Sequence, residues 1–359
     1  MTYLQLSCSP SAPATARLTR SATLVPRPAP AGFTLVELLV VILIIAILAS
    51  MVLFAMVGVT ESAKVDRTRS QIARINELLL QKWEEYQTRR VPMSRTHWNA
   101  MHGPAAATLP LRSMATYRLN ALRELMRMEM PDRISDVTEY ASSQPAYLKD
   151  PVTGKANYPS LWRAYLRKAT NTTWTPENES SECLYLILSQ IQDGDFNALE
   201  FFNENEIGDT DGDAMPEILD AWGTPIRWLR WAPGFVSPLQ PAIMADGSKT
   251  VISSDSLDLR MAGLFSNVTR PGQDLFDTAQ MQTGTWEIRP LVISAGPDKS
   301  FDIAFSYDEQ KGGASFTWSA VSNNPYDTNA MIIGSVADTN GDGIDNSIDN
   351  IHNQLIETR

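Results

Sequence analysis

Carboxylates at the spacing of a calcium loop occur twice in the chain. The stretch DTNGDGIDNSID, residues 338–349, follows the template D-x-[DN]-x-[DN]-G-x5-E, with Asp349 in place of the closing glutamate. Calcium takes about six to eight oxygens around a tight loop. Here they would come from Asp338, Asn340, Asp342, the backbone carbonyl of Ile344, Asn346 directly or through water, and Asp349, with Gly343 making the sharp turn. The stretch DTDGDAMPEILD, residues 209–220, offers Asp209, Asp211, Asp213, Glu217 and Asp220 at the same offsets. It has Ala214 where the turn glycine belongs, and Pro216 intrudes. Asp298 and Asp302 are further candidates for a site built from two loops. The competing reading of each stretch is a solvated acidic turn, since Asp, Asn and Gly dominate turns.

A different carboxylate stands where it should be costly. Glu37 lies at the head of an apolar run, residues 33–59, in which an ionised group costs about 3 kcal/mol or more unless it is paired. The run is roughly 25 residues, or about 38 Å as a helix, enough to cross a ~30 Å hydrocarbon layer. Residues 1–31 are rich in Ser, Ala, Pro and Thr with scattered arginines, the composition of a targeting segment. These basic residues precede the span, so the positive-inside tendency places the leader in the cytoplasm and the carboxyl-terminal bulk across the membrane.

Beyond the span, Ile72, Ile75, Leu79, Trp83 and Tyr86 recur at helical spacing between charges, which predicts an amphipathic continuation with one buried face. Val91-Pro92 is its expected stop. The remainder divides into short helical stretches, then strand-like runs at TWEIRPLVISAG and SFDIAFSY. The fold expected is α+β: a long amino-terminal helix, half transmembrane and half amphipathic, packed on a globular head with extra helices and a small antiparallel sheet. The corresponding boundaries are 1–32 for the leader, 33–59 for the membrane helix, 60–91 for the amphipathic half and 92–359 for the head.

The residues GFTLVELLVVILIIAILA resemble the class III signal of type IV pilins and type II secretion pseudopilins. In that family a membrane peptidase cuts after the glycine and methylates the new terminus. The resemblance implies a cut between Gly32 and Phe33, and it implies that Glu37 of one subunit neutralises the α-amino group of a neighbour's Phe33 during assembly. LDAWGTPIRW with VISAGPDKSFD resembles the carboxyl-terminal sheet of the major pseudopilin of type II secretion, a type that carries calcium in this region. The loop at 338–349, followed by NIHNQLIE but preceded by a strand-like run, is half of an EF-hand and resembles a dockerin-type loop.

Composition narrows the function classes. The net charge of -11 argues against nucleic acid as a partner and suits divalent cations or basic surfaces. With only Cys8 and Cys183, there is no disulfide framework, and Cys183 reads as a small buried hydrophobe. His97 and His102 lack the spacing of a zinc site, and no nucleophile elbow or phosphate-binding glycine loop is present. The absence of such motifs leads to an expected non-enzymatic function, and the two resemblances imply a pseudopilus subunit of type II secretion, anchored in the bacterial inner membrane with a periplasmic head containing structural calcium. Its expected partners are the prepilin peptidase, other pilin or pseudopilin subunits and the secretion assembly platform. The alternatives are a minor type IV pilin, or an anchored calcium-dependent surface-binding protein.

Overall fold

The computed structural model describes residues 32–91, 111–142, 144–145, 147–150, 153, 155–232, 234–237, 239, 289–305, 333–337, 341 and 346–356. The chain divides into two compact units, Met1–Met56 and Val57–Arg359. Helix α1 spans Leu35–Thr88, 54 residues. It is the one described helix long and apolar enough to cross a membrane. Within the first unit its apolar side chains stand open, with Leu35 80% and Phe54 85% exposed.

In the second unit α1 acquires a buried face. Thr68, Ile72, Ile75, Leu79, Trp83 and Tyr86 are buried, as the three-and-four spacing requires. Around them lie α2 (Leu111–Glu129), α3 (Ile134–Ser142), α4 (Ser160–Ala169) and α5 (Glu179–Leu188). Trp162, Tyr165 and Ala169 repeat the same stripe on α4. Helix α5 is buried from Ser180 to Leu188 except at Tyr185, because it packs against strands as well as helices.

The strands are short. β1 (Gln192–Asp193) pairs with β2 (Phe196–Asn197), and β3 (Ile207–Gly208) pairs with β4 (Glu217–Ile218). β5 (Arg227–Leu229), β6 (Leu291–Ser294) and β7 (Ile351–His352) form a three-stranded antiparallel sheet with β6 in the middle. Every residue of β6 is buried, as expected for a central strand covered on both faces. Helix α6 (Asn353–Ile356) follows β7 directly. The run at SFDIAFSY contributes a single bridge, Ile303 to Val336, among the described residues.

Side-chain hydrogen bonds join α1 to this layer. Gln71 Nε2 donates to the Leu219 carbonyl at 2.9 Å, and Thr68 Oγ1 accepts from Ala221 N at 3.2 Å. Asn353 Nδ2 donates to Asn76 Oδ1 at 2.6 Å while Asn353 Oδ1 accepts from Val292 N, so α6, β6 and α1 meet at one amide. The whole is the α+β arrangement expected: a long amino-terminal helix, further helices and small antiparallel sheets.

Candidate functional site

At the amino terminus the helix cap is built from the residues around the expected cleavage point. Thr34 N and Oγ1 each donate to Glu37 Oε2 at 2.9 Å, and Glu37 N donates back to Thr34 Oγ1 at 3.2 Å. This is a reciprocal capping box, Thr at the cap and Glu three residues on, which satisfies amide donors that a helix start leaves open. The carboxylate also faces the positive end of the helix dipole. The pattern T-L-V-E spells this cap in the sequence, a signal that a search for charge partners passes over. Gly32 and Phe33 precede the cap, so a cut between them leaves the Thr34 amide in place.

The second candidate lies in the loop between β3 and β4. Asp209 shapes it: its Oδ1 accepts from Gly212 N at 2.7 Å and Asp213 N at 3.2 Å, and its Oδ2 accepts from Ala214 N at 3.1 Å. Gly212 and Ala214 both take positive φ, 80° and 72°. Ala214 stands where the loop template has glycine, and the three amides on Asp209 hold the turn in that conformation. Carboxylate oxygens of Asp209, Asp211 and Asp213 lie within 4.8 Å of one another.

A second triad shares Asp211 with the first. One oxygen each from Glu182, Asp211 and Glu217 also lies within 4.8 Å. Glu182 comes from α5, where the spacing of the loop motif gives no hint of it. What marks it in the sequence is an acid inside a helix that otherwise reads as core, SECLYLIL. Glu182 and Glu217 are fully buried.

Neighbouring groups aim these carboxylates. Glu217 accepts from Thr210 N at 2.9 Å, Thr210 Oγ1 at 2.9 Å and Asn178 Nδ2 at 3.1 Å. Burial still pushes its carboxyl up, against these hydrogen bonds. Asn178, at the start of α5, uses its side chain here and makes no cap hydrogen bond to the helix. Asp213 Oδ2 accepts from Thr175 N at 2.6 Å, and Asp211 Oδ2 accepts from Thr175 Oγ1 at 3.1 Å. Trp174 Nε1 donates to Glu182 Oε2. Burial pushes Glu182 up to about 9; the indole opposes this, and the charges of Asp213 and Asp211 add to it.

Asp220 lies apart from these triads and organises the strand entry. Its Oδ1 accepts from Trp222 N and Thr224 N, both at 2.9 Å, and its Oδ2 accepts from Ser294 Oγ at 2.7 Å. It thus ties the D-x-W-G-x-P turn to the central strand β6. Trp228 is a buried anchor, whereas Trp222 is partly exposed and donates through Nε1 to Glu61 on α1.

Of the carboxyl-terminal loop, Asp338, Asn340, Asp342 and Ile344 lie outside the described residues, as does the side chain of Asn346. Asp349 is exposed, and burial of its carboxyl together with the charge of Asp298 raises its pKa. A Cβ on Gly296 would meet the Asp349 carbonyl oxygen at 2.8 Å, so only glycine lets the S-x-G-x-D loop approach so closely. Asp302 is buried and accepts from Ser300 Oγ at 3.1 Å. His97 and His102 also lie outside the described residues.

Residues 27–53 match the family model for the prokaryotic N-terminal methylation motif. No curated protein and no solved structure matches the chain. The matched residues contain Gly32, Phe33, the Thr34–Glu37 cap and the first turns of α1, so the chain carries the type IV pilin-like amino terminus of a prepilin peptidase substrate.

Proposed function

We propose that this chain is a structural subunit of a type II secretion pseudopilus, acting by polymerisation and not by catalysis. The observation that carries the reading is the order Gly32, Phe33, capped Glu37 and then an apolar helix, inside a methylation motif. Cleavage between Gly32 and Phe33 by prepilin peptidase frees a cationic amine at Phe33. The helix rests in the inner membrane with the leader in the cytoplasm and the head in the periplasm. An assembly platform then draws subunits into a helical stack, where Glu37 of one subunit meets the Phe33 amine of another.

The choice of secretion over adhesion rests on the carboxyl-terminal sheet. The D-x-W-G-x-P stretch leads into β5 and the S-x-G-x-D stretch leaves β6, and the two are linked through Asp220 and Ser294. The test is intact mass and amino-terminal sequencing of protein recovered from membranes, beside a Glu37→Ala variant. The expected result is a methylated terminus at Phe33 in both, with the variant cleaved normally but missing from fibres. A chain still starting near Met1, or one cut elsewhere, overturns the reading. A correctly cut chain that supports surface pili and not protein export would move it to a type IV pilin.

A further inference from the structure

We infer that Glu182 of α5 and the β3–β4 loop carboxylates of Asp211, Asp213 and Glu217 form a calcium site, distinct from the carboxyl-terminal loop and independent of whether the chain polymerises. The loop alone is an acidic turn of the kind that proteins commonly leave to solvent. The separate observation is Glu182, which is fully buried and has an Oε1 atom with no hydrogen-bond partner. A buried carboxylate oxygen without a donor costs about 1–3 kcal/mol or more, and the Glu182 carboxylate stands among those of Asp211, Asp213 and Glu217.

The geometry points to one hard cation. Oxygens of Glu182, Asp211 and Glu217 lie within 4.8 Å of each other, a separation that an ion with metal–oxygen bonds of about 2.4 Å can bridge. Both charges acting most on Glu182, Asp213 and Asp211, are negative, so repulsion is left for a cation to offset. The donors Trp174, Thr175, Thr210 and Asn178 hold the carboxylates from outside, the arrangement by which outer partners orient metal ligands. A bound ion would clamp α5 to the β3–β4 hairpin, two elements already in contact.

The test uses the full chain in detergent, stripped with chelator, in a background of Asp338→Asn and Asp342→Asn that silences the carboxyl-terminal loop. Calcium and, separately, magnesium are titrated by calorimetry, and thermal unfolding is followed with and without calcium. The background protein is expected to bind one calcium and to melt at higher temperature with it. Adding Glu182→Gln is expected to weaken calcium binding about ten-fold or more, with circular dichroism unchanged. If Glu182→Gln does not fold, Asp211→Asn, on the half-exposed loop, is expected to show the same loss. No calcium binding by the background protein up to about 10⁻³ M overturns the proposal. So does full calcium affinity in the Glu182 variant, or in the Asp211 variant where the first does not fold.

Discussion

Glu37 owes its observed partner to its position three residues after Thr34. Within the chain it closes the capping box, and in an assembled fibre it would be available to a neighbour's amine only by loosening that cap. His352 is the other residue whose chemistry is set by its surroundings. Its Nδ1 accepts from Leu355 N at 3.2 Å, and its ring packs edge-on against Phe235 at 4.9 Å. Burial lowers its pKa to about 4. Because the folded value lies below the ordinary histidine value, the unfolded chain takes up the proton first as pH falls. The stability this neutral imidazole contributes is complete above about pH 6.5 and is lost as pH falls toward 4. Urea unfolding of the wild type against His352→Gln should diverge in slope with pH across that window. A single shift of about 1.4 kcal/mol corresponds to each unit of displacement; parallel curves would show that the imidazole titrates normally. Legibility at this scale divides by range. Glu37, Asp211, Asp213 and Glu217 are marked by local spacing, whereas Glu182 and His352 acquire their states from burial by distant chain.

At the scale of elements, a knot of buried charge joins α2, α3 and the end of β5. Asp136 accepts from Arg127 Nε at 2.8 Å and Arg230 Nη1 at 2.9 Å, with Arg133 Nε at 3.4 Å; Arg230 Nη2 reaches Asp132 at 3.1 Å. Burial acts to raise the Asp136 carboxyl, but the guanidinium groups of Arg230, Arg127 and Arg133 win and hold it far below the usual carboxylate range. Removing one member of such a cluster leaves the others charged and dry. Asp136→Ala is therefore expected to cost about 3–5 kcal/mol, read as a lowered urea midpoint at unchanged slope. A loss under about 1 kcal/mol would mean that water or Asp132 takes over the arginines, and the knot would not be what fixes these elements. None of this was legible beforehand: the arginines of α2 and Arg230 are separated by about a hundred residues, and each reads locally as a surface charge. By contrast, the stripe Ile72, Ile75, Leu79, Trp83, Tyr86 could be read directly, since helical periodicity is local. Strand β6 was visible as VIS, but its partner β7 was not, because a two-residue strand leaves no pattern.

At the scale of the whole molecule, the two units divide one continuous helix by what surrounds it. Up to Met56 the described side chains of α1 are exposed and apolar, a surface far larger than soluble monomers tolerate, which marks a membrane or subunit contact. From Thr68 onward the same helix supplies a face of the core. Short isolated helices are marginal in water, so the stability of this second half comes from packing with α2, α5 and the sheet and does not need the apolar half. A chain beginning at Val57 is accordingly expected to fold without detergent and to melt where the full chain in detergent does, with the same near-ultraviolet tryptophan signal from buried Trp83, Trp228 and Trp231. The acidic balance of the protein favours solubility once the apolar segment is gone. A fragment that aggregates, or that melts well below the full chain, would show that the membrane half also stabilises the head; lengthening the fragment toward Glu37 would then restore the melting point step by step. An equal melting point would mean that the stability of the head is independent of the apolar half, which the proposed extraction of subunits from the membrane into a fibre requires.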